Sequence, residues 1–116
     1  MKIIHYTKIP PIAMNNEQVK NVAGRVLIGR EEGASNFCMR RFEIGVQGFT
    51  PKHSHDWEHE VWVLEGNGEV FMEDTWHALT PGTAVFVHPN TEHQFRNNSP
   101  APFAFLCLVP SQAPEI

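Results

Sequence analysis

The chain has 116 residues, 41% of them apolar, and a formal net charge of −4; that length suits one domain able to bury about two-thirds of its unfolded surface and leaves no room for a second module. No window gathers several Lys or Arg, which argues against nucleic acid or an anionic membrane as partner. No apolar run approaches the roughly 18 residues of a membrane span or forms a secretory leader, so a cytoplasmic setting is expected.

Short apolar and β-branched runs, interrupted every eight to twelve residues by Gly, Pro or Asn, predict an all-β sandwich or barrel. In chain order strands are expected at Lys2–Tyr6, Gly24–Ile28, Phe37–Val46, Pro51–His55, His59–Glu65, Gly68–Met72, Thr75–Leu79, Ala84–Val87, His93–Asn97 and Phe103–Val109. Ala13–Asn21 reads as a loop or short helical turn, and Gly66-Asn67-Gly68 as a hairpin turn. Pro100, Pro102, Pro110 and Pro114 mark a turn and a non-helical tail. The organisation expected is a single domain over 1–116, with an N-terminal strand and loop in 1–23, the barrel in 24–110 and a tail in 111–116. Cys38 and Cys107, the only two cysteines, make no disulfide framework and read as buried thiols.

Four of the seven histidines carry the functional signal. His53, His55 and His59 lie between Gly48 and Gly66, and His93 lies between Gly82 and Asn97. In a strand His53 and His55 point the same way, with Cα atoms about 7 Å apart, a bite suited to one ion. A turn at Asp56-Trp57-Glu58 lets His59 open the next strand, and His93 completes the set. His55 and His59 are four apart and would also share a helix face, but Asp56 stands where a helical metalloprotease motif needs glutamate, and Val61-Trp62-Val63-Leu64 favours a strand. His5, His77 and His88 read as ordinary surface or core histidines.

The two segments resemble the two motifs of the cupin superfamily. In the first, a glycine and spacer precede H-x-H, a glutamate and a closing glycine; counting back from Gly66 places His59 at the glutamate position. In the second, Gly82, His93 and Asn97 fit, while His88 and Asn90 replace a proline and a glycine. Pro89-Asn90 still suits a turn. The resemblance implies a jelly-roll barrel holding one divalent metal ion on His53, His55, His59 and His93. Four imidazoles are similar to the single-domain, manganese-binding subgroup, with iron, nickel or zinc as alternatives. Were Glu60 the third ligand instead, strand parity would turn Val61 and Val63 outward.

If His59 faces inward, so do Val61 and Val63, and Phe103, Phe105 and Cys107 share an inward face on the last strand. Trp62 and Leu64 then face another layer or a second subunit. Of Arg40 and Arg41 one points each way. Arg40 is interior if Phe42 and Ile44 are, needing a carboxylate from the protein or a ligand, and Arg41 takes that place in the other register. Two cis positions on such an ion suit a small anionic carboxylate, keto acid or enolate. Two functions follow: a metal-dependent dioxygenase, decarboxylase, isomerase or lyase, with Glu58 as candidate base and Arg40 as candidate catalytic residue, or a non-catalytic binding or sensing protein. A homodimer is expected, with Lys2–Tyr6 adding to the partner's sheet.

Overall fold

The β-branched and aromatic runs form nine strands in the computed structural model, which describes residues 1–116. They are β1 (Ile12–Met14), β2 (Lys20–Ile28), β3 (Phe37–Phe49), β4 (His59–Glu65), β5 (Gly68–Met72), β6 (Thr75–Leu79), β7 (Ala84–Val87), β8 (Gln94–Arg96) and β9 (Phe103–Pro110). Single 3-10 turns occur at Tyr6–Lys8 and Arg30–Glu32, and no α-helix forms. No helix is long and apolar enough to cross a membrane.

Every strand pair is antiparallel, in the order β6-β5-β8-β3-β9-β4-β7, with β2 also on β3 and β1 beyond it. β3 holds the two walls together. Along one edge it pairs with β9 from Phe37 to Ile44 and then with β8 at Phe49, while β2 runs along the other edge. The change of partner follows a bend at Gln47, whose φ is 64°, and a register shift opposite Lys20–Val22. A bulge of this kind re-aims a strand and adds twist, which curls the sheet into the expected barrel.

Alternation decides the core. In β4, His59, Val61 and Val63 are buried while Glu60, Trp62 and Leu64 are exposed; in β9, Phe103, Phe105, Cys107 and Val109 face the same interior. Asn97 is fully buried: its Nδ2 donates to Ile44 O and Ala101 O, and its Oδ1 accepts from the backbone N and the hydroxyl of Ser99. Its polar atoms are all satisfied, so it braces a corner rather than serving a ligand.

The N-terminus departs from expectation. Lys2–Tyr6 forms no strand; Tyr6 opens a 3-10 turn whose ring lies 3.9 Å from the Arg41 guanidinium carbon, and Ile9 O accepts from Arg25 Nε at 2.8 Å. The edge strand is Ile12–Met14, in a stretch read partly as loop, pairing with β2 of the same chain. Pro51–His55 is not a strand but an isolated bridge between His53 and His93, and regular pairing in β8 begins only at Gln94. Gly66-Asn67-Gly68 is no hairpin, because β4 pairs with β7 and β9 while β5 pairs with β6 and β8. It is the corner where the chain changes walls.

Candidate metal centre

One bridge and one strand opening assemble the site. The backbones of His53 and His93 exchange hydrogen bonds of 3.1 and 2.9 Å, which sets their side chains together at the barrel mouth. Asp56 and Trp57 bend the chain back so that His59 opens β4, buried and aimed inward. Ring nitrogens of His53, His55 and His93 all lie within 4.8 Å of one another. His59 joins them through a 2.8 Å contact between its Nε2 and that of His55. Its ring centroid is 4.5 Å from that of His55 and 5.2 Å from that of His93.

Neighbouring carbonyls fix two of the rings. Nδ1 of His55 donates to Trp57 O at 2.9 Å, and Nδ1 of His93 to Thr91 O at 2.8 Å. A carbonyl only accepts, so each ring keeps its proton on Nδ1 and offers a bare Nε2, the usual arrangement behind a metal ligand. The Trp57 indole also stacks on His55 at 4.2 Å and 4°. Burial holds the cluster neutral: it lowers His53 and His55 below 6.5, His93 to about 4 and His59 to about 2, with the Arg40 charge adding to the effect on His59. Neutral imidazole donors, two of them buried, fit a divalent transition ion well.

The four histidines open into a cavity of about 240 Å³, also lined by Arg40, Phe42, Phe95, Phe105 and Cys107. Arg40 is the interior arginine, in step with Phe42 and Ile44; Arg41 faces the outer side, bonded to Glu65 at 3.1 Å beneath Tyr6. No protein carboxylate pairs with Arg40. Its Nη2 lies 3.0 Å from Cys107 Sγ and 3.4 Å from His59 Nδ1, its Nη1 donates to Glu115 O at 3.4 Å, and its buried Nε has no partner.

Glu58 does not line this cavity. It lies in a separate outer groove with Asp56 and Glu60, since it precedes β4 on the side opposite to His59. Glu60 is likewise exposed and faces outward between Leu108 and Phe86, so the alternative register with Glu60 inside is not the one adopted. The sequence reading overlooked Pro114 and Ile116, which belong to the cavity wall. The tail is held by Arg30, whose Nη2 donates to Ser111 O and Ala113 O and whose backbone N donates to the Glu115 carboxylate. Its single buried residue, Ala113, carries no periodic signal.

Comparison with known proteins is consistent with this architecture. The chain is 34% identical over 95 residues to a glucose-6-phosphate isomerase of Pyrococcus abyssi, an alignment covering 72% of this chain and 50% of the relative. It thus spans about half the length of the curated relatives it matches. Among solved structures, the polyketide cyclase RemF of Streptomyces resistomycificus superposes with a TM-score of 0.92 at 32% identity, covering 98% of this chain and 82% of that one. A predicted oxalate decarboxylase of Thermotoga maritima shares the fold at 18% identity, with a TM-score of 0.84 over 95% of this chain and 99% of its own. The model of the cupin domain matches residues 40–109, a stretch that begins at the interior arginine, contains all four clustered histidines and ends with β9, and the chain therefore belongs to the cupin family.

Proposed function

We propose that this cupin holds one divalent ion on His53, His55, His59 and His93, manganese foremost with iron, nickel or zinc as alternatives, and binds a small anionic carbonyl compound beside it. The observation that carries this reading is the cavity's charge. Arg40 is the one lining residue with a charged side chain, no Asp or Glu lines the cavity, and no side-chain salt bridge neutralises Arg40. A buried cation without a counter-charge is costly, and neutral imidazoles offset none of an ion's charge. A carboxylate, keto acid or enolate meets both demands.

The wall also restricts the ligand's body. Beside Phe42, Phe95, Phe105 and Trp57, Thr50 is the only hydroxyl-bearing residue of the wall, and its hydroxyl is already bonded to the Phe95 backbone. A polyhydroxylated sugar would lose its hydrogen bonds there, whereas an apolar or aromatic body would not. The likeness to a cyclase and to an isomerase supports an enolate-forming isomerase, lyase or cyclase, with decarboxylase or dioxygenase chemistry open to the same donor set. When bound, the metal supplies Lewis-acid stabilisation of a carboxylate or enolate oxygen. Arg40 adds positive potential from beneath, the aromatic wall excludes water, and Trp57 clamps His55 in its orienting pose.

A second reading, a binding or sensing cupin without turnover, is favoured by one feature: no carboxylate in the cavity is available as a general base. Three measurements test these readings. Purified protein is expected to carry about one transition ion per chain, falling when any of His53, His55, His59 or His93 becomes Ala and unchanged for His77→Ala; absence of metal after reconstitution would refute the proposal. With metal held saturating, Arg40→Met is expected to weaken binding of pyruvate or acetylacetone about tenfold or more. Deuterium uptake at the pyruvate methyl above the rate with free metal selects the enzyme, and binding without uptake selects the sensor.

A further inference from the structure

His59 lacks the support that His55 and His93 share. Their Nδ1–H groups are taken by the Trp57 and Thr91 carbonyls, whereas Nδ1 of His59 meets no oxygen. Its neighbours are Sγ of Cys107 at 3.2 Å and Nη2 of Arg40 at 3.4 Å, and that same Nη2 lies 3.0 Å from the sulfur. Arg40, His59 and Cys107 are all buried. A guanidinium nitrogen only donates, so this triangle has few consistent proton arrangements.

Without a ligated ion one proton arrangement fits the triangle. Arg40 Nη2 donates to the Cys107 sulfur, the Cys107 thiol donates to His59 Nδ1, and His59 Nε2–H donates to His55 Nε2, the 2.8 Å contact. Ligation through His59 Nε2 reverses it. The neutral ring then carries its proton on Nδ1, and the one acceptor facing that proton is the Cys107 sulfur.

We propose that Cys107 is the positioning residue of His59: its sulfur accepts the Nδ1–H when Nε2 turns to the ion, as the Trp57 and Thr91 carbonyls do for His55 and His93. Arg40, donating to the same sulfur, holds it in place. The inference rests on the metal reading of the site. It gives a role to a buried thiol that sequence treats as packing, and it makes His59 the ligand whose hydrogen bond inverts on loading. Sulfur is a weaker acceptor than a carbonyl oxygen, so His59 is also the least firmly oriented of the three.

The test uses the full chain and zinc, with affinity read by competition against a chromophoric chelator. Cys107→Ala is expected to weaken zinc binding by about 10- to 100-fold, in line with lost outer partners of metal ligands. Cys107→Ser, whose hydroxyl accepts, recovers most of the loss, and Cys38→Ala, another buried thiol, changes nothing. The loss shows in the zinc-induced rise in melting temperature rather than in the metal-free value, which separates positioning from packing. Long-range proton–nitrogen correlation spectra should place the His59 proton on Nε2 without zinc and on Nδ1 with it. Zinc affinity of Cys107→Ala within twofold of the parent overturns the proposal, as does a fall in both melting temperatures with affinity intact. If His59→Ala also leaves zinc affinity unchanged, the metal assignment of His59 fails; if His59→Ala weakens zinc while Cys107→Ala does not, the role of Cys107 alone is refuted.

Discussion

Four clustered histidines, of which His59 and His93 are buried, tie the stability of this chain to pH even before any metal binds. All are lowered from 6.5 by burial, His93 to about 4 and His59 to about 2, so the folded state prefers them neutral while an unfolded chain protonates them from about pH 6.5 downward. Their contribution is therefore fully present above pH 6.5 and is lost progressively as pH falls toward the folded values. Metal-free protein should melt at a constant temperature between pH 8 and 7 and at a falling one between pH 6.5 and 5, and His93→Asn should flatten the slope. Metal-loaded protein should fall more steeply, because protons compete for the ligands. A metal-free melting temperature that is flat from pH 7 to 5 would contradict the pKa directions. At this scale the sequence told part: the two motifs bring His53, His55 and His93 together and parity turns His59 inward, whereas parity showed only that one of Arg40 and Arg41 faces the interior and left open which. What it lacked was the partner of Arg40. Expectation called for a carboxylate from the protein or a ligand; within the protein the guanidinium meets Cys107, His59 and the Glu115 backbone, contacts 67, 19 and 75 residues away. No local pattern encodes them.

Elements were legible where a two-residue period meets turn chemistry. β5 and β6 lie as expected, and the two residues between them, Glu73 and Asp74, adopt φ of 53° and 61°, the left-handed pair of a tight hairpin, without the usual Asn-Gly signature. β1 was missed because three residues cannot show a period, and Lys2–Tyr6 was overread because β propensity alone does not supply a pairing partner. The β4–β5 corner gives the element-scale prediction. Gly66 sits at φ 75°, and a methyl group there would drive into Pro102 O and approach Phe103 Cα to 3.0 Å. Gly82 has a similar φ of 88° but nothing within 4 Å of its added carbon. Gly82→Ala should therefore cost about 1 kcal/mol for the left-handed backbone alone, whereas Gly66→Ala should cost about 2–4 kcal/mol through strain and clash together. Denaturant unfolding of both variants decides it, and equal losses would mean that the corner relaxes around the methyl.

On the whole molecule, the outer face of the β3-β9-β4-β7 wall is the surface least at ease in water. Cross-strand neighbours place Leu106, Trp62 and Ala84 in one row and Leu108, Glu60 and Phe86 in the next, with Trp62 50% and Phe86 44% exposed. The N-terminal segment covers only the far side of this wall, where Tyr6 lies over Arg41 and Arg25. Isolated apolar residues on a surface need no explanation, but contiguous rows of them mark an interface. We propose that a second copy of the chain covers these rows across a two-fold axis, a self-complementary contact in which Trp62 is a central anchor. Lys2–Tyr6, expected to add to the partner's sheet, forms no strand here, and Lys2 and Tyr6 contact Glu32, Arg25 and Arg41 of their own chain. Light scattering should give a dimer mass at micromolar concentration, and Trp62→Glu with Phe86→Glu should yield a folded monomer that still binds metal, since both face away from the histidines. Removing residues 1–11 should leave the dimer intact and lower the melting temperature by uncovering Arg41. A parent protein of monomer mass would rule out this assembly, and dissociation on removal of residues 1–11 with Trp62→Glu still dimeric would move the interface to the N-terminal side of the wall.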